Sequence, residues 1–252
     1  MNTEHKPTMR IISILEFVSS SAQGCKFIEI SNELGIPMGT LSPIIHTLRE
    51  KKSLSYDEKT QLYTLGIGLF EIGSRYMQCS NFFGDVTSVM QEIVRGCGET
   101  VHFGILDGGN VLYLAKVDST EPIRMYSAIG KRLPAYGTAI GKALLCDRTE
   151  EEVRTLYPGG LTPLTAHTVT DFDELIRQLK KAKETSLAYE CEESNDLIRC
   201  IAKPLYKNGR VAAALSVAVP TFRYTKEKEL QIEQLLQEYA VYATQIVAYM
   251  NL

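Results

Sequence analysis

The most constraining stretch of the sequence is residues 27–49, which read FIEISNELGIPMGTLSPIIHTLR. It predicts two short amphipathic helices separated by a break at Leu34-Gly35-Ile36-Pro37. The second helix has an apolar stripe at intervals of three and four residues, formed by Leu41, Ile44, Ile45 and Leu48. Its opposite face carries small or hydrogen-bonding side chains: Gly39, Thr40, Ser42, His46 and Thr47. A helix-turn-helix motif places such a helix in the major groove of DNA. An ordinary helical hairpin fits this stretch equally well.

The flanking residues favour the DNA-binding interpretation. Residues 8–20 predict one further helix before the stretch, and residues 54–56 and 61–65 predict two short strands after it. Three helices followed by a β-hairpin form the winged variant of helix-turn-helix. Lys59 lies at the predicted hairpin tip, where it could contact a phosphate or the minor groove. A solubilising turn residue is an equally good interpretation of Lys59.

The charge balance gives no global nucleic-acid signal. The net charge of the chain is −3, and residues 1–70 contain seven Lys or Arg and seven Asp or Glu. A DNA-binding module is usually more basic, because phosphate contacts supply much of its affinity. A local cluster partly compensates, since Arg49, Lys51, Lys52 and Lys59 follow one another at the end of the second helix and just beyond it.

Composition and cysteine spacing exclude several other classes. The apolar fraction of 44% and the charged fraction of 23% are ordinary for a globular protein. No apolar run approaches the roughly 18 residues of a membrane helix, and the first residues lack the apolar core of a signal peptide. We therefore expect a cytoplasmic protein. The six cysteines show no metal-ligand spacing, so neither a metal site nor another cofactor is predicted.

Beyond the hairpin the pattern changes from helical to mixed. Residues 67–80 predict a linker helix, so we expect a DNA-binding domain over residues 1–66 and a second domain over residues 81–252. Predicted strands there are residues 100–107, 111–117, 123–127, 187–190, 198–206 and 211–219. Predicted helices are residues 85–95, 136–146, a segment opening at Thr149, 175–185 and 225–250. This alternation predicts an α+β or α/β domain with a central sheet covered by helices.

A binding pocket is better supported than an enzyme active site. Nucleotide-binding and hydrolase motifs are absent, and the best catalytic combination is Cys200, His102 and Glu190, which nothing in the sequence brings together. Residues 131–142 lead from a loop into a helix start, where free N–H groups favour a carboxylate, although a plain loop-to-helix junction fits as well. Ser216 lies on the strand beside that of Cys200, and the two residues with Glu190 could form the polar side of a cavity.

These motifs resemble the IclR family of bacterial transcriptional regulators along nearly the whole chain. The segments that carry the resemblance are Arg10-Ile-Ile-Ser-Ile-Leu-Glu16, Ile28-Glu-Ile-Ser-Asn-Glu-Leu-Gly-Ile-Pro37 with Thr40-Leu41, Gly141-Lys-Ala-Leu-Leu145, Ile198-Arg-Cys-Ile-Ala202, and Ala213-Ala-Leu-Ser-Val217 with Pro220. The resemblance implies a winged helix-turn-helix joined by a linker helix to a GAF/profilin-like effector-binding domain with a mostly antiparallel sheet. It also implies homodimers or tetramers on pseudo-palindromic operators, and a small organic acid as effector.

The resemblance also implies site residues. For the effector these are Met125 and Leu133 as apolar wall, Ala139 and Ile140 as backbone donors, and Glu190, Cys200 and Ser216 as polar side chains. For DNA they are Thr40, Ser42, His46 and Thr47 at bases and Arg10, Arg49 and Lys51 at phosphates.

Three departures from the family pattern refine the expectation. Ala218 stands where members often have a second serine, and Glu190 stands in place of the usual aspartate. A longer carboxylate and one fewer hydroxyl favour a polyhydroxylated effector, so we expect a sugar acid and a repressor of its catabolic operon. Ser42 and Pro43 replace a frequent basic or imidazole side chain, and we expect the helix to start near Met38 or Gly39 so that Pro43 lies close to its first turn. A thiol-dependent hydrolase and a ligand sensor that does not bind DNA are the alternatives.

Overall fold

The computed structural model describes residues 4–78, 81–123 and 128–250. Its contacts divide the chain into two compact units, residues 1–80 and residues 81–252. The predicted effector residue Met125 and most of the predicted strand at 123–127 lie outside the described residues. Within the described ranges, no helix combines the length and the apolar character needed to cross a membrane.

The first unit is the predicted winged helix-turn-helix. Its elements are α1 (Lys6–Ser19), α2 (Phe27–Leu34), α3 (Met38–Glu50), β1 (Leu54–Asp57), β2 (Leu62–Leu65) and α4 (Ile67–Gln78). Strands β1 and β2 pair antiparallel, and Cys25 adds an isolated bridge to Tyr63. The apolar stripe of α3 packs into a core with α1, α2 and the hairpin, which includes Ile14, Val18, Ile30, Leu41, Ile45, Leu48 and Leu54.

The turn between α2 and α3 is fixed by local chemistry. Gly35 adopts a left-handed conformation with φ of 60°, which lets α2 end abruptly. The Ile36 N–H donates to the Ser31 carbonyl at 3.1 Å, and the Ser31 hydroxyl donates to the Ile36 carbonyl at 2.7 Å. The buried Ser31 therefore ties the end of α2 to the turn that leads into α3.

The start of α3 at Met38 confirms the sequence prediction, but Pro43 lies further inside than expected. It is the sixth residue of the helix, beyond the first turn. Proline has no N–H, so the carbonyl of Gly39 has no donor from the residue four positions later. The middle of α3 thus has one hydrogen bond fewer than a regular helix.

The second unit is a six-stranded antiparallel sheet with helices on both faces. Its elements are α5 (Phe82–Cys97), β3 (Thr100–Asp107), β4 (Asn110–Val117), β5 (Arg132–Pro134), α6 (Ala139–Leu145), α7 (Glu150–Leu156), α8 (Phe172–Thr185), β6 (Ala188–Cys191), β7 (Ile198–Lys207), β8 (Arg210–Pro220) and α9 (Lys226–Ala248). The strand order is β5-β4-β3-β8-β7-β6. Helices α5 and α9 cover one face, and α6 and α8 cover the other.

Two predicted elements of this unit were wrong in part. The predicted helix over residues 136–146 is a 3-10 turn at Ala135–Gly137 followed by α6, because Thr138 is extended and its hydroxyl caps the Gly141 N–H at 3.0 Å. The short strand β5 before it was not predicted. Helix α8 begins three residues earlier than expected, since the Asp171 carboxylate caps the Glu174 N–H at 2.8 Å.

Candidate functional site

The candidate DNA-reading surface is the outward face of α3. Ser42, His46 and Thr47 are exposed on this face, and Thr40 is half-buried. The Thr47 hydroxyl donates to the Pro43 carbonyl one turn earlier at 2.9 Å, so its proton is already used within the helix. The Thr47 side chain therefore presents a methyl group and an acceptor oxygen rather than a free hydroxyl donor.

The candidate phosphate-contacting residues are spread over the head. Arg49, Lys51 and Lys59 are exposed at the end of α3, just beyond it and on the hairpin turn. Arg10 is half-buried on α1 and lines a cavity beside the turn between α2 and α3, together with Leu34 and Gly35. Arg10 thus lies on a different element from the other three.

Tyr56 is a further residue of this surface that the sequence did not single out. The Arg49 guanidinium lies over the Tyr56 ring at 4.9 Å, and Tyr56 packs against Tyr63 with ring centroids 4.7 Å apart. A guanidinium at this distance from an aromatic face is attracted to it. The hairpin therefore holds the guanidinium of Arg49 at the end of α3.

The candidate effector site lies on the face of the sheet that α6 covers. Strand register aligns Glu190, Cys200, Ala218 and Thr100 across β6, β7, β8 and β3. The next row of the same face aligns Ala188, Ala202, Ser216 and His102. Directly paired residues of neighbouring strands point to the same face. Glu190, Cys200 and Ser216 thus share one buried face, whose neighbouring positions in these two rows include the small side chains of Ala188, Ala202 and Ala218.

Glu190 is the most unusual group at this site. The residue is 3% exposed. One carboxylate oxygen accepts from the Glu193 N–H at 2.9 Å, and the other accepts from the Ser194 hydroxyl at 3.1 Å and the Cys200 thiol at 3.5 Å. Burial, reinforced by the nearby Glu193 charge, raises the pKa of Glu190 to about 7. The carboxyl group therefore exists in both protonation states near neutral pH.

The geometry does not support the hydrolase alternative. Burial and the adjacent Glu190 raise the pKa of the Cys200 thiol well above its usual value, so it is not a reactive thiolate. Strand β8 separates His102 on β3 from Cys200 on β7, so their backbones are on the order of 10 Å apart. A general base has to lie within hydrogen-bond reach of its nucleophile. Burial also lowers the pKa of His102 to about 4, so the ring is neutral.

The start of α6 faces this site from the other side. The Gly141 N–H donates to the Thr138 hydroxyl, and the Lys142 N–H donates to the Thr138 carbonyl. The N–H groups of Ala139 and Ile140 precede these two and have no acceptor within the helix. A Cβ atom at Gly104 would lie 3.2 Å from the Ile140 side chain and 2.9 Å from Val111. Glycine at this position of β3 therefore lets α6 approach the sheet closely.

Sequence reasoning missed Tyr113 and Thr138 as members of this cluster. Tyr113 is buried on β4, its ring contacts His102 edge-on at 5.3 Å, and its hydroxyl forms a hydrogen bond with Thr138. Burial, with the charges of Cys200 and Glu190, raises the pKa of Tyr113. The period-two pattern of β4 was the available signal, because Tyr113 follows Val111 of the same core by two residues.

The predicted apolar wall is only partly described. Leu133 lies on β5, at the opposite edge of the sheet from Glu190, and packs against the core cluster that contains Ala139, Ile140 and Cys200. Outside this core, Glu190 lines a cavity of about 360 Å³ beside the edge strand β6. Further residues lining it are Lys142, Arg177, Lys181, Glu193, Arg199 and Tyr224.

Comparison with known proteins places the chain in a family. Residues 75–245 match the family described as "Bacterial transcriptional regulator IclR C-terminal". The chain belongs to the IclR family of transcriptional regulators. It is 33% identical over 213 residues to the HTH-type transcriptional regulator KdgR of Escherichia coli K12, covering 84% of this chain and 78% of that protein. As a member of this family the chain is a DNA-binding transcriptional regulator rather than an enzyme.

Solved structures share the fold. An IclR transcriptional regulator from Alicyclobacillus acidocaldarius superposes with a TM-score of 0.87 at 22% identity, covering 97% of this chain and 99% of that one. An IclR homologue from Microbacterium hydrocarbonoxydans, complexed with 4-hydroxybenzoate, has a TM-score of 0.83 at 20% identity, covering 96% and 98%. The winged helix-turn-helix and the helix-covered antiparallel sheet are therefore the IclR fold.

Proposed function

We propose that this regulator represses a catabolic operon and that a sugar acid controls its binding to a pseudo-palindromic operator. In this proposal residues 1–66 are the DNA-binding domain, residues 67–80 the linker helix and residues 81–252 the effector-binding domain. The single observation that carries the effector part is the shared buried face of Glu190, Cys200 and Ser216 beneath the start of α6.

The chemistry of that face favours a hydroxylated acid. The first N–H groups of α6, at Ala139 and Ile140, suit a carboxylate, as they do at other helix starts. Hydroxyl groups for the rest of the effector come from Ser194, Ser216 and Tyr113, and Glu190 can accept from a hydroxyl or donate to an oxygen. The 4-hydroxybenzoate complex of the Microbacterium homologue supports a small carboxylic acid as the ligand class.

Ala218 supports a ligand that supplies its own hydroxyl groups. It lies in the same register row as Cys200 and Glu190, one strand further from the sheet edge. A serine at this position would add a hydroxyl and occupy part of the space above the row. The alanine leaves that space to a hydroxyl group of the effector.

On the DNA side, we propose that α3 enters the major groove with Thr40, Ser42, His46 and Thr47 at bases. Arg10, Arg49, Lys51 and Lys59 then contact phosphates. Residues 1–70 carry equal numbers of acidic and basic side chains, so one head alone has little electrostatic affinity. A homodimer or tetramer offsets this by attaching two heads to the two half-sites of one operator.

Control by an effector requires different affinities for two arrangements of the oligomer. The effector binds one arrangement more tightly and thereby changes the population whose head spacing matches the operator. Because α4 follows the hairpin directly along the chain, it is the covalent route between the heads and the effector-binding domain. Regulation then acts on operator affinity without a chemical reaction at Cys200.

Footprinting on the upstream regions of the source genome tests the proposal, with aldonic, ketoaldonic and aromatic acids added in turn. We expect a protected pseudo-palindrome whose protection changes only with a sugar acid. Calorimetry with the same acids should give heat for that acid alone. Heat from aromatic acids only would contradict the sugar-acid assignment, and no protected site on any region would contradict the regulator proposal in favour of a sensor that acts without DNA.

Two variants sharpen this experiment. Ala218→Ser should weaken binding of the sugar acid about tenfold, since the added hydroxyl fills the space proposed for the ligand. Cys200→Ser retains a hydrogen-bond donor and should retain effector-dependent operator binding. If Cys200→Ser abolished all response to the acid while turnover of the acid by the wild type was detected, the hydrolase alternative would replace this proposal.

A further inference from the structure

A buried ion pair lies directly behind the candidate effector site. The Lys142 ammonium on α6 contacts the Glu193 carboxylate in the β6–β7 loop at 2.5 Å. Lys142 is 1% exposed and Glu193 is 6% exposed. Removing two charges from water is costly, and a buried pair is retained only with close geometry and further hydrogen bonds. Neither residue belongs to the proposed effector contacts.

The pair connects the two halves of the site through short links. Lys142 lies one helical turn after Ala139 on the helix whose start faces the site. The N–H of Glu193 donates to the Glu190 carboxylate at 2.9 Å. One ion pair therefore joins the helix that carries the backbone donors to the loop residue that holds Glu190.

The loop itself is fastened by hydroxyl groups. The Glu193 carbonyl accepts from the Thr168 hydroxyl at 2.7 Å and from the Thr165 hydroxyl at 3.3 Å. The second Glu193 carboxylate oxygen accepts from the Val169 N–H at 3.3 Å. Glu193 thus has a fixed backbone, and its side chain is shared between Lys142 and the segment containing Val169.

We propose that Lys142 and Glu193 are the positioning pair of the effector site, which holds the Glu190 carboxyl group in place against the start of α6. The pair acts through Glu190 and does not contact the effector. The inference rests on the proposed function only in taking this site to be the effector site. The contacts that support it all lie within the protein.

The groups that face Glu190 determine the test. Its charged and titratable neighbours are Cys200 from β7, Tyr113 from β4 and Glu193 from its own loop, with Lys142 behind Glu193 on α6. Helix α8 contributes Arg177 and Lys181 to the same cavity, and Arg199, Tyr224 and Glu229 line its other side. Among the described residues that hydrogen-bond the Glu190 carboxylate, Glu193 and Cys200 have side chains that can carry negative charge.

Carboxyl titration of the full-length protein labelled with [5-¹³C]glutamate provides the readout, with the Glu190 signal identified by its loss in Glu190→Gln. Lys142→Met leaves the Glu193 charge without its cation and should move the Glu190 midpoint upward by roughly one pH unit. Glu193→Gln removes the neighbouring negative charge and should move it downward by roughly one pH unit. Lys142→Arg keeps the cation and should restore the wild-type midpoint.

Glu99→Gln is the matched control. Glu99 is 2% exposed and forms a two-pronged ion pair with Arg223 at 2.7 and 2.8 Å. It precedes β3, three strands away from Glu190. We expect both Glu99→Gln and Glu193→Gln to lower the unfolding temperature, because each breaks a buried ion pair, but Glu99→Gln should leave the Glu190 midpoint unchanged.

Opposite shifts in Lys142→Met and Glu193→Gln, with rescue by Lys142→Arg, establish the positioning role. Unchanged midpoints in both folded variants, or an equal shift in Glu99→Gln, overturn it. If Lys142→Met does not fold, Glu193→Gln still decides the question against Glu99→Gln, because an unchanged Glu190 midpoint in Glu193→Gln overturns the proposal. None of these measurements uses an effector, so a failure to bind any sugar acid would affect the proposed function alone.

Discussion

The Cys200 thiol donates to the Glu190 carboxylate at 3.5 Å, and the two residues are direct partners across β6 and β7. A thiol is a weak donor, and the other partners of this carboxylate are one hydroxyl and one backbone N–H. No direct contact with a cation compensates its burial among the described residues. The carboxyl group is therefore held near the midpoint of its titration at neutral pH.

Glu190→Gln should remove a pH-dependent loss of stability. The pKa of Glu190 is about 7 in the folded protein against an ordinary value of 4.5, so the folded state binds the proton more tightly than the unfolded state. The contribution of Glu190 to the free energy of unfolding is therefore fully present below pH 4.5. It falls by on the order of 3 kcal/mol as the pH rises to about 7. Urea unfolding at pH 5, 6, 7 and 8 gives the free energy of unfolding of both proteins. The value for Glu190→Gln minus that for wild type should increase with pH over this window.

Glu174→Gln is the control for this measurement. Glu174 is partly exposed, and its hydrogen bonds with Arg177 lower its pKa to about 2. Because Glu174 is ionised throughout pH 5 to 8, its variant should differ from wild type by a constant amount. A constant difference for Glu190→Gln as well would show that Glu190 does not titrate in this range.

Thr47→Val should bind the operator nearly as well as wild type. The Thr47 hydroxyl donates to the Pro43 carbonyl, so the side chain is expected to read DNA through its methyl group, which valine keeps. Thr47→Ala should lose about tenfold in operator affinity without weakening nonspecific binding, and His46→Ala should do the same. Gel-shift titration against operator and random duplex measures both. An equal loss in Thr47→Val and Thr47→Ala would show that the hydroxyl contacts the DNA.

Tyr56→Leu should weaken DNA binding although it leaves the charge of the protein unchanged. The Tyr56 ring holds the Arg49 guanidinium, and leucine releases it. For Tyr56→Leu, the slope of log affinity for random duplex against log salt concentration should equal that of wild type. Arg49→Met should reduce the magnitude of this slope by about 0.9 per head, because it removes one phosphate contact. Tyr56→Phe keeps the aromatic face and should match wild type. Wild-type affinity in Tyr56→Leu would mean that Arg49 needs no support from the hairpin.

Pro43→Ala should stabilise the head. Alanine supplies the N–H that the Gly39 carbonyl lacks and has a higher helix propensity, worth up to about 3 kcal/mol in a helix interior. Thermal unfolding of the full-length protein measures the change. Gly39→Ala is the comparison, because nothing lies within 4 Å of the added Cβ. Helix propensity alone should then stabilise this variant by about 1 kcal/mol or less. No gain from Pro43→Ala would show that the proline ring makes compensating contacts.

The sequence was most informative where structure depends on near neighbours. The bounds of α2 and the start of α3 follow from apolar spacing and from the Gly35-Ile36-Pro37 break, which lie within one or two helical turns. Five strands of the sheet, β3, β4, β6, β7 and β8, followed equally from short apolar runs between turns, whereas β5 did not. The predicted helix over residues 136–146 failed because the cap formed by Thr138 begins a new helix inside an apolar pattern that continues through it.

The sequence by itself therefore determined the helix-turn-helix, most of the order of strands and helices along the chain, and the choice of Glu190, Cys200 and Ser216 as candidate polar residues. Only the tertiary structure decided which side chains meet. Lys142 and Glu193 are 51 residues apart, and Arg49 and Tyr56 belong to different elements. Such contacts depend on how strands pair and how helices pack over them. The spacing of residues along the chain does not specify that arrangement. The charged groups around Glu190 could therefore be identified only from the folded structure.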